Sequence, residues 1–449
     1  MLDDIAALQV HRPEYPFWRH IFTVADGAVV FGSAVDGRLI ATFPVNGEWQ
    51  RDGVWEIPGL ARLLDGRSLP RDLSERRDEL ERLLAPEVGP VVHNATRGLF
   101  LLPNERRYGA FLQEWGAIYE RFGVPGSLGL AQALVESGLN GSVRSEARAI
   151  GFCQWLLGNW NRLKRLSSDV IEGYNQTTQA PYCAAYLSIL ATKYGSFIPA
   201  LSEHHAGGTN IGRTLINGER LGGAGTRERY FLGSDFARDL RAMSPGTFRD
   251  VYGSYGPRSI RYAEMVYGNI ANIERIRADV PQMKIFAMRL PRALSLAEIA
   301  RQARLSPDEV RRYNPALSRR VPGDATLYLP KHVAAFGRDV AFWHRPPSRA
   351  YASLLDEFVH LDVSPDEWDS GAFDDVLEGF RKRFAATQTE EGLVMATTLA
   401  YAIQDLRTSG QQEILADFRS SDDIRQMFDR ARREREVFAA ETANSILAN

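Results

Sequence analysis

The stretch LGLAQALVESGLNG, residues 128–141, carries a single ionisable side chain, Glu136, and the nearest charged residues on either side are Arg121 and Arg144. Leu130 and Leu134 recur on one face of the helix this spacing predicts, and Leu128, Ala131 and Val135 on another, so the segment from near Ser127 is expected to be buried nearly all round. Gly138, Asn140 and Gly141 supply the residues that end helices, which puts Glu136 in the last turn. Burial and the negative end of the helix dipole both favour a protonated carboxyl there. Such an acid can give a proton to a leaving oxygen near neutral pH and take one back as a carboxylate. The competing reading is a structural ion pair with Arg144 or Arg148.

Downstream, SEARAIGFCQW places Ser145 and Gln154 at fixed distances from Glu136, EHHAG brings His204 and His205 together, and RSIRYAEMV presents Tyr262. In order and spacing, VESGLN followed by the serine and the glutamine turn resembles the soluble lytic transglycosylases of glycoside hydrolase family 23, whose catalytic domain is lysozyme-like. The resemblance implies that Glu136 is the catalytic acid and that Ser145 and Gln154 line the substrate cleft. His204 and His205 fall where the family has a tyrosine and an asparagine that hold the sugar, a departure from its pattern, and Tyr262 falls where a tyrosine hydrogen-bonds the acid.

A second resemblance lies in LSLAEIARQARLSPDEVRRYNPALSRRVPGDATLYLP, which is similar to a LysM module, a binder of N-acetylglucosamine-containing glycans. Leu296, Ile299, Ala300, Val310, Asn314, Pro315, Pro322, Gly323, Leu327 and Pro330 carry it, while PRALS stands where the module's usual Gly-Asp-Thr opening belongs. A lytic domain followed by LysM is the arrangement of the membrane-bound lytic transglycosylase D type, resembled here from about Arg106 to Pro330.

The implied reaction is non-hydrolytic cleavage of the β-1,4 bond between N-acetylmuramic acid and N-acetylglucosamine in peptidoglycan, leaving a 1,6-anhydro end. Glu136 is its sole acid and base, and no metal or organic cofactor takes part. Two alternatives stand beside it: a catalytically weak cell-wall binding or scaffolding protein, and a hydrolytic muramidase with Glu203 as a second acid. A metal held by His204, His205 and Cys153 is a weaker reading, because no helical pair of ligands supports zinc.

The elements that must position these residues point to an α+β, multidomain and mostly helical chain. At 449 residues it exceeds one ordinary core. Alternating apolar residues and Asp-Gly pairs over about 16–58 predict a small antiparallel sheet with hairpin turns, followed by a helix ending at Pro86. The expected division is a small α/β N-terminal region (1–89), a lysozyme-like domain (90–283), a βααβ LysM-like module (284–332) and a helical C-terminal region (333–449). The N- and C-terminal regions offer surfaces for a protein partner.

A formal net charge of −2 gives no global basic field and so no expectation of nucleic acid as the main partner. The chain shows neither a bilayer-spanning apolar run nor a readable secretory signal. The resemblance nevertheless implies a periplasmic or cell-envelope location, with peptidoglycan strands as the partner. The two cysteines, Cys153 and Cys183, are compatible with one bridge or none.

Overall fold

The computed structural model describes residues 1–156 and 172–345, apart from positions 254, 318 and 324, together with positions 394 and 398. The architecture is α+β and mostly helical. Among the described residues no helix is long and apolar enough to cross a membrane.

The chain opens with helices α1 (Leu2–His11) and α2 (Trp18–Thr23) before entering a four-stranded antiparallel sheet of spatial order β3-β2-β1-β4. Its strands are β1 (Ala28–Ser33), β2 (Leu39–Pro44), β3 (Val54–Trp55) and β4 (Val91–Ala95), with helix α3 (Leu73–Val88) crossing between the last two. Of the three Asp-Gly pairs over 16–58, Asp36-Gly37 closes the tight hairpin from β1 to β2, and Asp52-Gly53 leads directly into β3. Gly37 takes φ 69°, and a β-carbon there would lie 2.4 Å from the Phe17 amide nitrogen. Asp26-Gly27 instead links α2 to β1: the residues before it are helical because Ile21 and Phe22 bury into the neighbouring core. Helix α3 runs two residues past Pro86, at the loss of one intrahelical hydrogen bond, and ends at Gly89 with φ 80°.

Strand β1 is buried on both faces. Val29 and Phe31 join the core formed with Ile40, Phe43, Trp49 and α3, while Val30 points the other way into the large helical core. The expected N-terminal unit 1–89 therefore needs correction on two counts. Helices α1 and α2 supply Leu8, Trp18, Ile21 and Phe22 to the helical core, and the boundary near Pro90 falls inside the sheet, because β4 pairs with β1 from Val29↔Ala95 to Ser33↔Val91. Buried polar contacts fasten this junction. Asp4, fully buried, accepts from Ser196 Oγ at 2.8 Å, the Phe197 amide at 3.0 Å and Tyr267 Oη at 2.7 Å, and pairs with Arg227. Arg12 lies 3.0 Å from Glu264 and 2.6 Å from Asp235. Removing one partner of such a buried pair costs about 3–5 kcal/mol.

The helical body contains α4 (Gly98–Tyr108), α5 (Leu112–Arg121), α6 (Gly126–Ser137), α7 (Gln176–Tyr194), α8 (Phe197–Ala206), α9 (Gly208–Arg220), α10 (Thr226–Met243), α11 (Pro245–Tyr252) and α12 (Tyr262–Asp279). Two short strands, β5 (Ala149–Ile150) and β6 (Trp155–Leu156), form a hairpin between α6 and α7.

From residue 284 short strands and two short helices follow the helical body. Strand β7 (Phe286–Arg289) and strand β10 (Thr326–Leu329) pair antiparallel around helices α13 (Leu296–Ala303) and α14 (Pro307–Tyr313). A two-residue ladder joins β8 (Leu294–Ser295) to β9 (Arg320–Val321). Both helices start with capping boxes, Ser295 with Glu298 and Ser306 with Glu309. Asn314 is buried and substitutes for a strand: its amide donates to the Tyr328 carbonyl at 2.6 Å and its oxygen accepts from the Tyr328 amide at 2.9 Å. The unit has its own core and leans on the helical body through Tyr328 Oη and Thr178 Oγ1, 2.9 Å apart. Of the expected helical region 333–449, residues 346–449 lie outside the described residues except for positions 394 and 398.

Candidate active site

Helix α6 ends where the sequence places its stop. Gly138 adopts the left-handed conformation at φ 59°, and a β-carbon there would meet the Phe100 carbonyl oxygen at 2.0 Å, so both conformation and space demand glycine. Ser137 ties this helix end to the next turn, its hydroxyl donating to the carbonyls of Ala133 at 2.9 Å and Phe152 at 3.0 Å. Glu136 is thereby held in the last turn with its side chain 12 % exposed.

Three side chains from two other helices converge on one of its oxygens. The Tyr262 hydroxyl, at the start of α12, donates to Glu136 Oε1. His204 Nε2 and His205 Nδ1, both in the last turn of α8, lie 3.7 and 3.9 Å from the same atom. The His205 ring stacks on Tyr262 with centroids 4.5 Å apart and planes 5° from parallel, which fixes the hydroxyl's direction. Oε2 has no protein partner among the described residues, leaving it as the oxygen able to face a ligand.

Burial pushes the Glu136 carboxyl up to about 7, against the opposing pull of the Tyr262 hydrogen bond and the Arg258 charge. The histidines move the other way. Burial lowers His204 to about 4, although its contact with the Cys153 carbonyl favours the proton; His205 falls to about 4 through burial and the nearby Arg258. Both imidazoles are therefore neutral at pH 7. Since His204 Nε2 sits 3.0 Å from the Cys153 carbonyl, which can only accept, that nitrogen carries the proton. Neutral neighbours bring no charge that would draw the proton off Glu136, so the site holds an acid that is half protonated near neutrality.

Ser145 and Gln154 come close in the chain but serve a different part of the site. The Ser145 hydroxyl accepts from the Ala149 amide at 2.9 Å, and Gln154 donates to the carbonyls of Val143 at 3.1 Å and Gly151 at 2.9 Å. They shape the turn beside the acid rather than touch the acid. Gly151, at φ 78°, lies so close to Gly173 that a β-carbon would approach its carbonyl oxygen to 2.2 Å. The turn is pinned to α7 by a disulfide between Cys153 and Cys183, whose Cα atoms are 6.1 Å apart.

That bridge removes Cys153 as a thiolate ligand, and among the described residues no group of three or more His, Cys, Asp or Glu side chains is placed to hold a metal ion. Arg144 and Arg148 form no ion pair with Glu136 among the described residues, which disposes of the structural-pair alternative in that form. Glu203, the second acid of the hydrolytic alternative, is buried against Lys193 Nζ at 2.7 Å and the Tyr194 hydroxyl.

Two contributors escaped the sequence reading. Gln132 lies one turn before Glu136 with its buried amide nitrogen facing no hydrogen-bond partner among the described residues, and Arg258 lies four residues before Tyr262 and biases both Glu136 and His205. The i,i+4 spacing to a residue already singled out was the available signal in each case. No protein-family model matches the chain, and no curated protein matches it.

Proposed function

We propose that the chain is a peptidoglycan lytic transglycosylase that cleaves the β-1,4 bond between N-acetylmuramic acid and N-acetylglucosamine without water, with Glu136 as its acid and base. One observation carries this reading: a carboxyl raised to about 7, held by a single hydroxyl donor, with Glu203 already spent on Lys193 and Tyr194. Glycosidases that rely on two carboxyl groups set them about 5–9 Å apart around the scissile bond. A lone acid needs a nucleophile from the substrate instead.

In the reaction so proposed, the protonated Glu136 donates from Oε2 to the bridging oxygen as the C1–O bond breaks, and the substrate's own acetamido oxygen supports the cationic centre. The resulting carboxylate takes the proton from the muramoyl C6 hydroxyl. Its oxygen then closes on C1, which yields the 1,6-anhydro sugar and returns the acid to its starting state. Tyr262 and the stacked His205 orient Oε1 and leave Oε2 to the substrate, while the turn held by Ser145, Gln154 and the disulfide forms one wall. The disulfide favours an oxidising compartment, in keeping with a periplasmic or envelope location. Residues 284–332, similar to LysM, would extend the grip on the glycan.

Digestion of purified sacculi tests the reading. Mass spectrometry is expected to show anhydromuropeptides, with no heavy oxygen incorporated at the reducing end from labelled water, and Glu136→Gln is expected to lower their release about 10³-fold. Label at the reducing end would identify a hydrolase. Sacculus binding with no sugar released by the wild type would identify a binding or scaffolding protein.

A further inference from the structure

A second cavity, of about 460 Å³, opens between the N-terminal sheet and the helical body. Its walls carry five arginines drawn from distant parts of the chain: Arg97 before α4, Arg238 and Arg241 on α10, and Arg258 and Arg261 before α12. Trp18, Ile21, Phe22 and Met265 form an apolar floor. Such a concentration is not a reflection of overall composition, since the chain's formal net charge is −2.

Arg238 is the one that is neutralised, by Asp235 at 2.8 Å and Asp239 at 3.1 Å. Among the described residues Arg97, Arg241, Arg258 and Arg261 have no ion-pair partner. Asp26 and Glu264 act on Arg97 and Arg261 only at longer range, and Glu264 already binds Arg12. Arg97, Arg241 and Arg261 rest instead on the rings of Phe100, Phe248 and Trp18, which hold them in place without cancelling their charge. Burial first, and then the like charge of Arg258, hold the guanidinium of Arg97 below its ordinary range. Like charges gathered around an apolar floor destabilise the empty state, and the cost is relieved by a counter-charge that enters the cavity.

Guanidinium forks match the planar and tetrahedral oxygens of carboxylates and phosphates, and several converging on one cavity select for more than one negative group. We infer that this cavity binds a compact ligand carrying two or more carboxylate or phosphate groups. The apolar floor accommodates its carbon frame, and the arginine rim takes its oxygens. The assignment stands whether or not the proposed lytic reaction is correct, although Arg258 links the two sites by also acting on Glu136.

Isothermal titration of the full chain with inorganic pyrophosphate and, separately, with the tricarboxylate tricarballylate tests it and distinguishes the two chemistries. One-to-one saturable binding of at least one probe is expected, weakening about tenfold or more in the Arg97→Gln/Arg241→Gln variant. An Arg62→Gln/Arg82→Gln variant, altered at two arginines that do not line the cavity, is expected to bind as the wild type does. Circular dichroism of both variants guards against misfolding, and for any variant that unfolds, a single Arg241→Lys change supplies the comparison. Absence of saturable binding of either probe up to about 10 mM overturns the inference, as does equal weakening in the two double variants.

Discussion

Glu114 and Glu136 sit on successive helices, α5 and α6, that pack against each other, and both are withdrawn from water, yet their carboxyls move in opposite directions from the ordinary value. Burial pushes Glu114 up as well, but donors outweigh it: His344 Nε2 at 2.6 Å, Trp343 Nε1 at 2.9 Å and Lys284 Nζ at 3.0 Å bring its carboxyl down to about 2. The Ile285 amide adds a fourth contact at 3.3 Å. Glu136 has the Tyr262 hydroxyl and two neutral imidazoles, and stays near 7. The number and charge of donors, not burial, separates a structural carboxylate from a usable acid.

The largest effect that probes this contrast is expected at Glu114. Its folded-state value lies below the unfolded one, so its contribution is complete above about pH 4.5 and fades as pH falls towards about 2. At about 1.4 kcal/mol per pKa unit, Glu114→Gln is expected to cost about 3 kcal/mol at pH 7 in denaturant unfolding, with the proposed lytic activity retained in the surviving folded fraction. A loss below about 0.5 kcal/mol would remove the claim that its donors stabilise the charged form.

Glu136 has the opposite sign. Its folded-state value is raised, so the folded protein binds more protons than the unfolded chain between about 4.5 and about 7, and stability falls as pH rises through that window. The fall is at most about 3 kcal/mol, and less because 12 % of the side chain remains accessible. Glu136→Gln is expected to flatten this decline, gaining about 2 kcal/mol over the wild type at pH 8 and nothing at about pH 3.5. Equal differences at the two pH values would mean that Glu136 titrates as an ordinary carboxyl.

The smallest expected effect concerns the single donor. Tyr262→Phe removes a hydrogen bond that favours the carboxylate, so the Glu136 carboxyl is expected to rise by about one unit, read by carbon NMR of the labelled side chain. The proposed lytic activity should then persist to higher pH. A downward movement would make Tyr262 a donor to the rest of the site and not a control on the acid.

Local pattern carried the first steps of this picture. The apolar faces of 128–135 and the terminating Gly138 put Glu136 at a helix end; His204, His205 and Tyr262, which the fold brings to one oxygen, were marked only by the motif resemblance and not by local pattern. Ser145 and Gln154 were legible as neighbours of the site, but their side chains turn to backbone carbonyls and amides that no sequence pattern displays. Nor did residues 1–89 reveal that they are not a separate unit. The alternation of Val29, Val30 and Phe31 announces a strand, yet which face meets which core depends on packing from the far end of the chain.

The sequence by itself determined where helices start and stop, because caps, glycines and apolar periodicity act within a few residues. It likewise determined that one acid would stand apart from other charges. Tertiary structure decided the Cys153–Cys183 pairing, the burial of Asp4 beneath four donors, and the gathering of five arginines around a single cavity. It also decided that Glu114 is ionised near neutrality while Glu136 is only half ionised there. Charge state and pairing depend on distances between residues more than a hundred positions apart, as between Glu136 and Tyr262 or Glu114 and His344, and only the folded chain sets those distances.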